Sequence, residues 1–286
     1  MKQIESRTKS FAAIALIYLS AGAIGILLGR SLPFGFWLNL LTADICCTVI
    51  VFVFSVLYKN ASVYDPYWSV FPIVAVTVTA AGRNLTALNV LHLGAIWFWG
   101  LRLTANWAYT FHGLTHQDWR YSMLQERTGR WYPAVNFFGI HLVPTLIVYL
   151  CLLPAEYAMY HHLEGTSASY TFVTVSLCAA LMQGIADKQM HEFRREHRGE
   201  LIRTGLWTYS RHPNYLGEIL MWWGIGLSVA VCVPNQYWLL TGAAANTLLF
   251  LFVSIPMADG RQAGKAGYEE YLRQTRMLLP IRRRRV

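Results

Sequence analysis

The sequence predicts an all-α protein, a polytopic transmembrane helical bundle of about 7–8 spans with both termini in the cytosol. Three observations predict it. Of the 286 residues, 55% are hydrophobic and 14% are charged, where an ordinary soluble domain carries about 25% charge. The apolar residues gather into runs, mostly of about 18–24 residues, long enough to cross about 30 Å of hydrocarbon. The basic residues then sort to one side of those runs.

The runs fall at 11–29, 37–57, 67–81, 88–110, 134–153, 168–187, 214–233 and 236–256. The first is too long for a signal-peptide core, and no small-residue cleavage site leads into a soluble domain. The third is the shortest, and the last two also read as one broken hairpin. Backbone polar groups in lipid must pair within their own segment, so helices are the default. With the N-terminus in the cytosol, eight crossings place nearly every Lys and Arg on the cytosolic side. Arg30 and Arg83 fall on the other side, and Arg102 lies inside the fourth run. The loop 154–167 has neither Lys nor Arg and reads as external. The net charge of +9 is therefore read as topology and attraction to anionic lipid, not as a nucleic-acid surface. A bacterial inner membrane and the endoplasmic reticulum both fit this pattern. Cys46, Cys47, Cys151, Cys178 and Cys232 lie in apolar runs without metal-ligand spacing, so small buried hydrophobes, no metal and no disulfide are expected. No linker or internal repeat is visible, and 1–286 is expected to be a single membrane domain.

Charged and polar residues inside membrane segments are costly and mark candidate sites. Asp187, His191 and Arg194 recur at i, i+4 and i+7 on one helical face, with Gln183 one turn earlier. Such a face suits a ligand with hydroxyls and phosphates, the arginines gripping phosphate and the carboxylate accepting from a ribose or amide. A salt-bridged juxtamembrane helix explains it equally. In the stretch Gly-Leu-Trp-Thr-Tyr-Ser-Arg-His-Pro-Asn-Tyr-Leu-Gly-Glu at 205–218, Pro213 fits a first helical turn and Ser210 a cap before it. Asn214, Glu218 and Trp222 then share a face, and Arg211 or His212 is the expected partner of Glu218. In Ser-Val-Tyr-Asp-Pro-Tyr-Trp at 62–68, Asp65 reads either as a cap or as a site acid. Arg102, Asn106 and Trp107 lie on the fourth run, where Arg102 either snorkels to the cytosol or pairs with Asp65. Asp44 has no partner that spacing can name. Asp-Trp-Arg-Tyr at 118–121 reads as interfacial or ligand-contacting, and 267–280 as a short amphipathic cytosolic helix. The arginines at 282–285 read as a membrane-surface anchor. With no Walker loop, GxGxxG or HExxH, hydrolase, ATPase and zinc-protease chemistry have no support.

These motifs together resemble the steroid 5α-reductase superfamily, most closely its broadly distributed uncharacterised branch. The matching elements, in order, are Ser62, Asp65 and Trp68; Arg102, Leu103, Asn106 and Trp107; Asp118, Arg120 and Tyr121; Ala186, Asp187, Gln189 and Phe193; the whole of 205–218; and Tyr268, Tyr271 and Pro280. One departure is Asp259, where the branch usually has Glu. The resemblance implies a bundle opening to the cytosol, NADPH as cofactor, and reduction of a C=C bond conjugated to a carbonyl in a lipid-like substrate. It assigns Asp187, Arg194, Asn214, Glu218 and Trp222 to the NADPH site, with Tyr209, Arg211 and His212 nearby, in a cofactor-binding half spanning about 183–280. Asp65, or Tyr64 or Tyr67, is the candidate proton donor to the carbonyl, and Trp68, Arg102, Asn106 and Trp107 are expected at the substrate. Isoprenylcysteine and phospholipid methyltransferases share an Arg-His-Pro-x-Tyr-x-Gly motif, so a membrane methyltransferase using S-adenosylmethionine is the alternative. A lipid-binding scaffold is expected to lose the polar constellation, and a transporter is expected to carry polar residues across the midplane, where Asp44 is the main candidate.

Overall fold

A computed structural model describes residues 6–280. Lys2 and the arginines at 282–285 lie outside the described residues. The described chain is helical, with one isolated bridge between Ser210 and Arg276 in place of any sheet. The helices are α1 (Arg7–Ser31), α2 (Phe36–Tyr58), α3 (Tyr67–Ala80), α4 (Ala87–Thr110), α5 (Trp119–Tyr160), α6 (Ser167–Glu196), α7 (Pro213–Ala230), α8 (Tyr237–Gln262) and α9 (Tyr268–Gln274).

Each apolar run becomes a helix, the conformation that pairs its backbone within its own segment without water. Five of them, α1, α2, α5, α6 and α8, are long and apolar enough to cross a membrane. The other three fall short for visible reasons. α3 has 14 residues, about 21 Å of helix. α4 carries Asn89, His92, Arg102 and Asn106, and α7 carries Asn214 and Glu218. The two last runs form separate helices, α7 and α8, joined by a turn. α5 starts at Trp119, well before its run, and α6 continues to Glu196 beyond its own. The bundle surface is apolar: Phe252 is 74% exposed and Leu19 70%, with Leu16, Leu27 and Leu248 similarly bare. A surface with so much exposed leucine and phenylalanine needs lipid as its solvent.

α6 and α7 pack most intimately. A Cβ on Gly217 would stand 2.7 Å from the Ala179 carbonyl, and one on Gly224 would stand 2.7 Å from the Phe172 carbonyl. These two glycines, one heptad apart, let the backbones approach as small residues do between membrane helices. The central core forms around Trp99, Leu152, Met221, Trp222 and Ile225. α1 packs on α2, while α3 packs on α4 and α5. Two helices contain a π-helical stretch, Val135–Leu142 within α5 and Phe250–Ser254 within α8. Such stretches cluster at functional sites, and both of these border the same cavity.

α9 is amphipathic, as expected. Tyr268 and Tyr271 are buried, while Glu269, Glu270 and Arg273 form its first- and last-turn charges. The Tyr271 hydroxyl donates to the Trp207 carbonyl at 2.5 Å.

Candidate functional site

A cavity of about 800 Å³ opens where α3–α8 converge. Its wall brings together residues from five separate sequence clusters: Tyr64, Asp65 and Trp68; Asn106 and Trp107; Asp118, Trp119, Arg120 and Tyr121; Gln183 and Asp187; and Asn214, Tyr215 and Glu218. Gly139, Ile140, Phe250, Val253 and Ser254 of the two π-helical stretches complete it, with Arg261 at the end of α8.

The inner end is organised by Glu218, which is 3% exposed. Its Oε2 accepts from Trp99 Nε1 at 2.8 Å and Gln183 Nε2 at 2.9 Å, and its Oε1 accepts from Trp222 Nε1 at 2.8 Å. The expected partners Arg211 and His212 are elsewhere. Helix periodicity does place Trp222 one turn from Glu218, but the other donors come from α4 and α6, which local spacing cannot reach. Asn214, Glu218 and Trp222 do share one face of α7.

Arg102 pairs with Asp187 at 3.1 Å, neither snorkelling to the boundary nor reaching Asp65. Gly184 makes room, since a Cβ there would meet Arg102 Cδ at 2.9 Å. One turn on, His191 Nε2 bonds Asn106 Oδ1 at 2.6 Å. The i, i+4 pair of α4 thus meets the i, i+4 pair of α6, and the face proposed for a ligand partly serves to join two helices. Asn214 Nδ2 donates to the other Asp187 oxygen at 3.4 Å. Two buried acceptors of this wall, Gln183 Oε1 and Asn214 Oδ1, have no protein partner, nor do Nε and Nη2 of Arg102, which packs behind the wall and does not line the cavity. Buried acceptors of this kind are satisfied in native proteins, by water or ligand where protein does not reach.

At the other wall Asp65 caps nothing. The residue preceding α3 is Pro66, and the Asp65 carboxylate accepts from the Tyr121 hydroxyl at 2.5 Å. Burial pushes this carboxyl up to about 6, against the opposing pull of Arg120 and of the Tyr121 bond. Arg120 itself pairs with Asp118 at 2.8 Å. Tyr64 lines the cavity and bonds Thr145 at 2.8 Å. Tyr67 is turned away: its hydroxyl donates to Asp44 Oδ1 at 2.7 Å, which supplies the partner that spacing could not name. Tyr121 is the site residue sequence reasoning undervalued. The signal was its place in the Asp-Trp-Arg-Tyr element, but only the fold carries it to Asp65.

The mouth is cationic. Arg194 does not line the cavity but stands seven residues beyond Asp187 on α6, about 10 Å further along the helix. It neighbours Arg261 and Lys265. Burial, Arg194 and Arg261 hold the Lys265 ammonium below its usual range. Arg261 lies over the Trp119 ring at 4.4 Å. Among the described residues no carboxylate pairs with Arg194, Arg261 or Lys265.

Tyr209, Arg211 and His212 are not in the cavity wall. Tyr209 is exposed. Arg211 Nη2 donates to Asp259 Oδ2 at 3.2 Å, and His212 Nε2 bonds Asp259 Oδ1 at 2.9 Å. The backbone N–H groups of Arg211 and His212 donate to Arg276 and Met277. Ser210 is not the cap of α7; that position is His212, and Ser210 Oγ accepts from its N–H and donates to Met277. The Arg-His half of the long motif is therefore a clamp holding the tail against α7 and α8. Asp259 is its acid, which explains why a carboxylate is wanted there.

An uncharacterized protein of Schizosaccharomyces pombe is 26% identical over 197 residues, 59% of this chain and 57% of the relative. The chain thus spans a little over half the length of that relative. No solved structure matches. The model of the family described as "Protein of unknown function (DUF1295)" matches residues 51–275, which includes every wall of the cavity, and the chain belongs to that family.

Proposed function

We propose that this protein is an integral membrane oxidoreductase that uses NADPH to reduce a C=C bond conjugated to a carbonyl in a lipid-like substrate, as the resemblance to steroid 5α-reductases suggests. The observation that carries this is a single cavity joining a mouth where, among the described residues, no carboxylate forms an ion pair with Arg194, Arg261 or Lys265, to the buried Asp65 carboxyl. The charge pattern, read as about 7–8 spans with both termini in the cytosol, supports a mouth on the side where phosphate-bearing cofactors are found.

The residues suit such a cofactor. Arg194, Arg261 and Lys265 would hold its phosphates by charge-assisted bonds. Gln183 Oε1 and Asn214 Oδ1, unpaired in the protein, would accept from hydroxyl or carboxamide donors. NADPH would supply the hydride. Asp65, whose proton burial retains up to about pH 6, would in its protonated form donate a hydrogen bond to the carbonyl oxygen as negative charge develops there. Tyr121 orients that carboxyl. Leu103, Ile147, Val148 and Leu249 form an apolar wall for the lipid chain. S-adenosylmethionine has no phosphate for the cationic mouth and carries a sulfonium cation that the mouth would repel.

Melting the purified protein with each cofactor tests this. NADPH is expected to raise the melting temperature and S-adenosylmethionine to leave it unchanged. The reverse would establish the methyltransferase alternative.

A further inference from the structure

A second cavity, of about 320 Å³, lies between the α1–α2 pair and α3. It arises because α1 packs on α2 while α3 turns its packing to α4 and α5. The slot runs from Tyr67 at the start of α3 to Arg83 just past its end, a length of about 21 Å along the helix. That exceeds one leaflet, about half of a 30 Å hydrocarbon core. Its wall is apolar along most of this length, formed by Ile26, Leu40, Val70, Phe71, Val74 and Val78. Gly22 and Gly29 face it from α1, and a Cβ at Gly22 would meet nothing within 4 Å. Tyr18 and Tyr67, edge to face at 5.8 Å, stand at its inner end.

The outer end is different. Arg30 and Arg83 are both on the rim, at the end of α3 remote from Asp65. They are the two basic residues that the charge pattern places on the far side of the bundle. The Arg83 guanidinium sits over the Tyr160 ring at 5.3 Å and the Phe36 ring at 5.9 Å, which holds it at the rim. Glu156 is the acid that feels Arg83, but it is fully buried on α5. Among the described residues neither arginine forms an ion pair.

We propose that this slot binds an anionic phospholipid, with one acyl chain lying between α1 and α3 and the phosphate headgroup held by Arg30 and Arg83. A lipid-facing apolar groove ending in two unpaired cations at headgroup level matches a chain and an anion joined in one molecule, and the bilayer supplies that molecule at high concentration. The assignment is independent of what the larger cavity binds.

Native mass spectrometry of the detergent-solubilised protein, after addition of palmitoyl-oleoyl phosphatidylglycerol or phosphatidylcholine, tests the site. The wild type is expected to retain phosphatidylglycerol with a preference of about 30-fold, the factor that two basic groups supply at a membrane surface. Arg30→Gln with Arg83→Gln is expected to abolish the preference. Gly22→Leu fills open space rather than displacing a neighbour, and is expected to reduce retention of both lipids. Equal retention of the two lipids by the wild type overturns the proposal, as does a preference that survives the double Arg substitution. The first criterion needs no variant, so misfolding of a variant leaves the proposal open to refutation.

Discussion

The turn at 64–68 serves two cavities that differ in chemistry. Tyr64, Asp65 and Trp68 face the larger one, whose wall holds carboxylates and amides, with Arg261 in the wall and Arg194 and Lys265 beyond it. Tyr67 faces the smaller one, where it binds buried Asp44 and the remaining wall is nearly all aliphatic, aromatic or glycine. The larger cavity has unpaired polar atoms in its interior; the smaller has its free charges at the rim alone. A buried unpaired acceptor calls for a ligand that enters with donors, whereas an apolar slot with a charged rim calls for one that leaves its polar end outside. On the proposed reading, adjacent side chains on one turn divide the bundle between a soluble cofactor and a lipid.

The largest effect expected from breaking this division is at Glu218. Glu218→Ala would leave the Trp99, Trp222 and Gln183 donors buried without an acceptor, at about 1–3 kcal/mol each. A fall in thermal stability is expected together with loss of NADPH binding; a fully stable variant would show that the indole cage is dispensable. Arg194→Ala should weaken NADPH binding by about 1.5–3 kcal/mol, the scale of a hydrogen bond to a charged group. Arg83→Gln, at the other cavity, should leave that affinity unchanged, so titration of both variants checks whether the cavities are separate.

Asp65→Asn tests the acid. The Asp65 carboxyl keeps its proton up to about 6 in the folded protein, above the ordinary value of 3.8. Between about pH 4 and 6 the unfolded chain releases this proton and the folded chain does not, so stability falls as pH rises across that window and this contribution is level above it. Melting curves of the Asn variant should lack this slope. Reductase activity that needs the protonated carboxyl should fall in the wild type as pH rises through about 6, and the variant's residual activity should not follow that profile. The smallest effect concerns the tail. Tyr271→Phe removes one bond to the Trp207 carbonyl and should cost about 0.5–1.5 kcal/mol, with NADPH affinity nearly unchanged, because α9 braces the clamp and does not line the cavity.

How much of this was legible in sequence depended on the range of the interaction. The helices were, because lipid forces each apolar run to pair its own backbone. The shared faces of α6 and α7 were as well, since a periodicity of 3.6 needs no tertiary knowledge. Partners were not. Arg102 meets Asp187 across 85 residues and Glu218 meets Trp99 across 119, and no local rule selects Asp187 over Asp65 for Arg102. The basic motif residues Arg211 and His212 looked like ligand contacts because Arg and His in an aromatic setting often are. Here their partner is Asp259 on α8. Trp99, at i−3 from Arg102, was the one missed partner of Glu218 that helical spacing could have put on the same face.

The central claim is that the polar cavity holds NADPH. Trp68, Trp107 and Trp119 line that cavity, so energy transfer from excited tryptophan to NADPH reports binding, and its loss or survival in substitutions at each cavity ties the signal to one of them. Saturable sensitised emission that weakens in Arg194→Ala and persists in Arg83→Gln is the expected result. Absence of any transfer from the folded wild type at saturating NADPH would contradict it.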